Sequence, residues 1–457
     1  MGSSLPWYAP ALKNYKLEAL KEGMTMNTLF SHVTVVCMDE ANTVLQDSFV
    51  LVKGQIITYI GPIRPQGEQI DREVNGTGKV LMPGFVDAHT HLPMSLMRGY
   101  GGGHDLQTWL NEYIFPVEAK LDSRAVRAGT ALSLAEAISC GITSVSDMYY
   151  FCDDIIEEVV KSGINANIAR GLTVFTEDFA PNTYQSCIEA KELVEKWHNY
   201  NDGQIRIDAC IHGEYTSNGK MWSWAAEFAQ KHKLQMHVHL SETKSEQLAC
   251  QQRHGMSPAA LFEQYGLWNT PAIAAHCVWT TPADWEIFQR HGVSVIHNPA
   301  SNMKLASGAA PIAEMLRAGV NVALGTDGMS SNDNHNMFEE MKLASLLSKV
   351  TSLDPVALSD ESVLKMATVN GAKAQGRHAG VVQVGAQADL ILVDFRAPNL
   401  QPCHDVEANL IYSANPSNVY MNMARGKIIY ENGAFLTLDI EEIYREVENY
   451  AVPKLFR

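Results

Sequence analysis

Eight short apolar runs, each followed by a helix-like stretch, pace the middle of this chain and leave it few folds to choose from. The runs occupy residues 85–91, 143–148, 165–170, 206–214, 235–242, 272–278, 293–298 and 321–327. Helical periodicity separates them, for example over 124–140, 153–161, 220–232, 282–290 and 310–318. Strand then helix, eight times in succession, predicts an α/β chain with a closed parallel TIM-like (β/α)8 barrel rather than an open doubly wound sheet. Such a barrel carries its chemistry at the C-terminal ends of the strands, so that is where catalytic groups are expected.

The ends of the chain read differently. Short β-branched runs at 33–37, 49–53 and 56–60 are separated by turn residues, and the same pattern returns at 388–394 and 419–430. Both ends therefore contribute to one small β-sandwich domain. The expected organisation is an extension at 1–26, the sandwich from 27–82 plus 378–440, the barrel over 83–377, and a helical tail at 441–457.

Charge narrows the partners. The 457 residues hold 35 Lys and Arg against 51 Asp and Glu, a formal net charge of −16. Nucleic acid and anionic membrane surfaces need a basic field, so neither is expected as the main partner. No run approaches the roughly 18 apolar residues of a membrane span, and 1–26 has no apolar signal core. The eight cysteines (37, 140, 152, 187, 210, 250, 277, 403) contain no C-x-x-C pair, unlike a disulfide framework or a thiolate zinc site. These features predict a cytoplasmic protein.

The first run carries the opening clue. In Phe85-Val86-Asp87-Ala88-His89-Thr90-His91, the strand period of two places Asp87, His89 and His91 on one face, so two imidazoles project together from a strand end. An isolated H-x-H is equally well two unrelated polar residues. Recurrence decides against that, because His212, His239, His276, His297 and Asp327 also fall at or beside the ends of later runs. A mononuclear site needs three or four donors that are deprotonated at neutral pH, and His89, His91, His239 and Asp327 supply them. Three nitrogens and a carboxylate suit one divalent ion, expected to be Zn2+, with Fe2+ or Ni2+ compatible. Such an ion lowers the pKa of water to about 7 and so provides hydroxide for attack on an electron-poor carbon. Asp327 can bind the metal and accept the water's proton. Glu242, three residues after His239, can protonate the substrate as general acid; the bland reading is a solvated helix-start residue.

Other groups read as support or as background. His237 shares the strand face of His239 one layer deeper and is expected to pack or to orient a ligand. His297 is either structural or part of the site wall. His104 follows the Gly101-Gly102-Gly103 run, which is either a flexible lid or a close approach to ligand, and no G-K-[ST] follows to make a phosphate loop. His212-Gly213-Glu214 lacks the P-C-x-x-C partner of cytidine-type deaminases. Neither a G-x-S-x-G elbow nor a G-x-G-x-x-G fingerprint occurs. No Lys stands at the end of the fourth run to bridge two metals.

The segments Leu81-Met82-Pro83-Gly84 through His91, His239-Leu240-Ser241-Glu242-Thr243, Ala275-His276-Cys277, His297-Asn298-Pro299-Ala300-Ser301-Asn302 and Gly325-Thr326-Asp327-Gly328 resemble the amidohydrolase superfamily over nearly the whole chain beyond residue 26. Within it, Leu96-Met97-Arg98-Gly99-Tyr100, Trp109-Leu110 and Pro116-Val117-Glu118 resemble the methylthioadenosine/S-adenosylhomocysteine deaminases. The resemblance implies that His89, His91, His239 and Asp327 hold the metal, that Glu242 protonates a purine ring nitrogen, and that His276 orients or polarises the attacking water. It further implies that Glu118 accepts both ribose hydroxyls, that Arg170 and His212 line the nucleoside pocket, and that the enzyme is a homo-oligomer. The family pattern can carry a second Arg for a homocysteine carboxylate, whereas 173–186 contains none. The expected activity is hydrolytic deamination of methylthioadenosine, S-adenosylhomocysteine or adenosine. Guanine deamination or triazine hydrolysis on the same site is the alternative, and a non-catalytic metal-binding barrel is disfavoured by the joint presence of ligands, acid and water-orienting His.

Overall fold

The computed structural model describes residues 26–176 and 179–457, so the expected extension at 1–26 lies outside the described residues except for Met26. The N-terminal part builds five strands, β1 (Thr28–Val36), β2 (Val44–Lys53), β3 (Ile56–Gly61), β4 (Arg72–Asn75) and β5 (Lys79–Pro83). The barrel follows with β6 (Phe85–His91), β7 (Ile142–Tyr149), β8 (Asn165–Arg170), β9 (Ile205–Ile211), β10 (Met236–Leu240), β11 (Ala272–His276), β12 (Val293–His297) and β13 (Asn321–Leu324). Each pairs in parallel with the next, and β6 to β12 are buried along almost their whole length. That is why they read as continuous apolar runs rather than alternating ones.

The ring closes through a broken strand. After β13, Gly325 and Thr326 interrupt the pairing, and β14 (Asp327–Gly328) returns to β6 with Asp327 opposite Thr90. A Cβ on Gly325 would stand 2.6 Å from Asn298 Oδ1 and 3.0 Å from His89 Cβ, so only glycine lets the chain pass here. The break delivers Asp327 in a left-handed conformation, φ 63°, which costs about 1–3 kcal/mol in a residue with a side chain. The expected runs from the fourth onward overshoot their strands. β9 stops at Ile211 and β10 at Leu240, which leaves His212 and Glu242 in the loops at the strand ends.

The chain ends meet through β5 and β15 (Leu390–Asp394), which pair antiparallel with Met82 opposite Ile391. β16 (Val419–Ala424), β17 (Lys427–Glu431) and β18 (Ala434–Phe435) extend the sheet on that side. Hydrogen bonding runs continuously from β18 to β3, so the sandwich is one nine-stranded sheet whose two halves share an apolar cluster of Phe30, Val35, Val52, Leu81, Leu392 and Met423 among others. It is fastened to the barrel by Asn422, whose Nδ2 donates to the carbonyls of Ile138 and Ile142 at 2.9 and 3.0 Å. The last helices, Ile440–Glu446 to Val452–Phe456, lie against the barrel, where the Tyr450 hydroxyl donates to Asp122 at 2.6 Å and Lys120 donates to the Leu455 carbonyl at 2.8 Å. No helix among the described residues is long and apolar enough to cross a membrane.

Candidate metal centre and active site

Four donors converge at the C-terminal mouth of the barrel. One ligand atom each from His89, His91, His239 and Asp327 lies within 4.8 Å of all the others. Asp327 Oδ1 is 3.4 Å from His89 Nε2 and 3.3 Å from His91 Nε2, and His239 Nε2 is 3.3 Å from His91 Nε2. In each imidazole the far nitrogen is already engaged. His91 Nδ1 donates to the Met148 carbonyl, His239 Nδ1 to the His212 carbonyl at 2.7 Å, and His89 Nδ1 faces His237 Nε2 at 2.9 Å. The two carbonyls fix the tautomers of His91 and His239, and all three Nε2 atoms turn inward, the arrangement a metal site needs. His89 Nε2 is buried with no hydrogen-bond partner of its own. An orphaned acceptor among two more imidazoles and a carboxylate is an expensive arrangement for a protein alone and a favourable one around a divalent cation.

The carboxylate is prepared for the same task. Burial by itself would raise the Asp327 carboxyl, but the close imidazoles of His89, His91 and His276 override it and hold the group well below its ordinary range. Its second oxygen accepts from the Ser301 hydroxyl at 2.6 Å and from Ser331 at 3.0 Å. These serines were not singled out by sequence reasoning; Ser301 lies just after the seventh strand, where the strand-end rule could have found it.

Glu242 and His276 stand beside this cluster. His276 Nε2 lies 3.8 Å from Glu242 Oε2 and 4.0 Å from Asp327 Oδ2, while its Nδ1 bonds to Asn302 Oδ1 at 2.9 Å. Burial lowers the basicity of His276, yet Glu242 and Asp327 raise it more. Glu242 is buried, and desolvation raises its carboxyl, so it can carry a proton at a pH where a surface Glu cannot. The Ser307 hydroxyl bonds its Oε1 at 3.2 Å.

A cavity opens from these groups. His91, His239, Asp327, Glu242 and His276 form its floor, and Leu106, Trp109, Leu110, Ile114 and Phe115 form an apolar wall contributed by the segment after the glycine run. Glu118 and His212 reach the same space. Burial pushes the Glu118 carboxyl up to about 7, with the Tyr149 hydroxyl and His91 opposing it. Burial among other imidazoles takes His212 down to about 3. The Thr216 hydroxyl donates to the Gly213 carbonyl, so His212 Nδ1 donates to Thr216 at 3.0 Å and its Nε2 is left as an acceptor. Arg170 is placed elsewhere. Its Nε donates to Glu189 at 2.6 Å, its Nη1 to the Gly171 carbonyl, and its guanidinium lies 5.0 Å from the centre of the Tyr150 ring. It lines an outer groove that shares Phe115, Glu118 and Tyr150 with the cavity. His297 is buried below the mouth, and His104 stacks on Tyr113 at 4.4 Å.

Residues 80–429 match the amidohydrolase family. The chain belongs to that family. This amidohydrolase is 39% identical to a 5-methylthioadenosine/S-adenosylhomocysteine deaminase of Thermoanaerobacter pseudethanolicus, over 93% of this chain and 99% of the relative. It is 38% identical to a 5'-deoxyadenosine deaminase of Methanosarcina mazei, over 90% of this chain and 98% of the relative. Among solved structures it resembles an adenosine deaminase of Xanthomonas campestris with bound zinc, with a TM-score of 0.88 and 32% identity over 94% and 98% of the two chains. The amidohydrolase fold and its four-donor cluster account for a divalent metal as the cofactor of a hydrolase.

Proposed function

We propose that this amidohydrolase removes the amino group of an adenosine-type purine nucleoside by hydrolysis and releases ammonia. The observation that carries the reading is the four-donor cluster, three of whose members line one cavity together with Glu242, His276 and Glu118. The names of the relatives support an adenosine-type ring, with methylthioadenosine, 5'-deoxyadenosine, adenosine and S-adenosylhomocysteine as candidates.

His89, His91, His239 and Asp327 would hold the ion, proposed to be Zn2+, which supplies an acidified water and hence a nucleophile at neutral pH. Around that chemistry the chain's own groups divide the work. The apolar wall of Leu106, Trp109 and Leu110 takes the purine face and excludes bulk water. Glu242 delivers its proton to a ring nitrogen, so that the amine-bearing carbon becomes electrophilic. His276, fixed by Asn302, orients the attacking water, and Asp327 takes up its proton and passes it to the departing amine. Glu118, once ionised, accepts two hydroxyl donors from the ribose.

No Lys or Arg lines the cavity among the described residues, and Arg170 is committed to Glu189. This favours a neutral 5' substituent over an anionic amino-acid tail. Seven of the eight cysteines are buried and all are free, as in a reducing compartment, which supports a cytoplasmic enzyme. A homo-oligomer completes the proposal. Ammonia release across purine nucleosides, free purines and triazines, with metal quantified in the same sample, tests it. Turnover confined to free bases or triazines would replace the nucleoside reading.

A further inference from the structure

The helix Lys244–His254 begins with Thr243, whose Oγ1 accepts the Glu246 N–H at 3.2 Å. Thr-x-x-Glu at a helix start ordinarily closes a reciprocal box, in which the Glu carboxylate folds back onto the N–H of the capping residue. Glu246 reaches further. Its Oε1 accepts the Ser241 N–H and its Oε2 accepts the Glu242 N–H, each at 2.8 Å, so the two bonds fall on the residues before the cap. A third tie runs in parallel, from the Ser241 hydroxyl to Gln247 Oε1 at 2.8 Å. Ser241 itself holds a left-handed backbone, φ 49°, which a free loop would relax. Glu246 and Gln247 are 7% and 5% exposed, and Glu246 does not line the cavity.

A box that merely started a helix would not need a buried carboxylate to bypass its own cap. We propose that Glu246 is a positioning residue for the reaction: it clamps the Ser241–Glu242 backbone to the first helical turn, and so holds the Glu242 carboxyl beside His276 and the metal donors. Without the clamp, the strained Ser241 turn relaxes and the Glu242 side chain loses its approach to the substrate ring. The inference rests on the reading of Glu242 as general acid.

Glu246→Gln tests it, because the amide keeps one acceptor and turns an N–H2 toward the other backbone N–H. In metal-loaded protein, kcat should fall by about 10- to 100-fold while KM stays within about twofold and metal content is unchanged. Glu246→Asp, which keeps a carboxyl but is one methylene shorter, should also lower kcat. A folded, metal-loaded variant of either kind that keeps the parent's kcat overturns the proposal, as does an effect confined to KM. Should neither variant fold, amide exchange in the parent enzyme decides: Ser241 and Glu242 amides as slow as those inside the helix support the clamp, and exchange as fast as an open loop removes it. Glu242→Gln run alongside separates the two readings. If it turns over normally, the general-acid assignment fails and the clamp with it; if it is inactive while Glu246→Gln is fully active, only the clamp fails.

Discussion

His237 Nε2 lies 2.9 Å from His89 Nδ1, so an imidazole outside the four-donor cluster backs one within it. Both rings are fully buried, and the second nitrogen of His237 has no partner. His237→Leu leaves the His89 N–H without an acceptor. Metal affinity should drop by about 10- to 100-fold, read by competition against a chelator, with the fold retained by circular dichroism.

Glu242→Gln keeps the shape of the side chain and removes its proton. Turnover should fall by about 10²- to 10⁴-fold with the metal still bound at full stoichiometry. Steady-state kinetics with metal analysis checks this, and unchanged turnover would remove Glu242 from the mechanism. His276→Ala tests the water-orienting role separately, and near-parental activity would remove that one.

Glu118 gives the enzyme a pH signature. Burial raises its carboxyl from 4.5 to about 7, so the folded state holds a proton that the unfolded chain has already lost. The stability it contributes is present below about pH 4.5 and is lost as pH rises through about 7. Glu118→Gln should therefore gain thermal stability relative to the parent at about pH 8 and none at about pH 4. Ribose hydroxyls donate to the ionised form, so KM for a ribonucleoside should fall as pH passes about 7 in the parent and stay high and flat in the variant. Turnover of a free purine should respond to neither change.

Removing the metal should abolish turnover and also lower the melting temperature. An ion held only by the folded state at 100 times its dissociation constant stabilises it by about 2.7 kcal/mol. Its loss returns His89, His91, His239 and Asp327 to a buried cluster with an orphaned nitrogen. Dialysis against chelator followed by calorimetry, then titration with Zn2+, checks both effects.

A substrate comparison tests the missing basic group. Nucleosides with a neutral 5' substituent should show higher kcat/KM than S-adenosylhomocysteine, since a charged tail gains no bidentate partner in the cavity. Glu189→Gln frees Arg170 from its partner at 2.6 Å and should narrow that gap.

Much of this was legible in the sequence because the barrel converts position into space. The eight runs became strands since parallel strands are buried on both faces, and the end of each strand lies on one rim. That rule gathered His89, His91, His239 and Asp327 with His212, His276 and His297 on one rim, and donor chemistry singled out the four. The rest depended on contacts between distant segments. The wall made by Leu106, Trp109 and Leu110 exists because the segment after the glycines folds across the mouth. Arg170 turned away from the cavity because Glu189, on the helix Gln185–Trp197, was there to take its charge. Nothing in the sequence singled out Glu246, since the Thr-x-x-Glu pattern is the same whether its carboxylate bonds the cap or the two residues before it.

The β5–β15 pairing also governs how the protein is made. β5 leaves the ribosome before any barrel strand, yet its partner Leu390–Asp394 is translated only after the whole barrel. Through most of synthesis Val80, Leu81 and Met82 present a bare apolar sheet edge, the kind of surface on which nascent chains stick to one another. Chains cut short before residue 390 should therefore aggregate rather than survive as a partial enzyme, and chaperone demand during expression should end abruptly once that strand emerges.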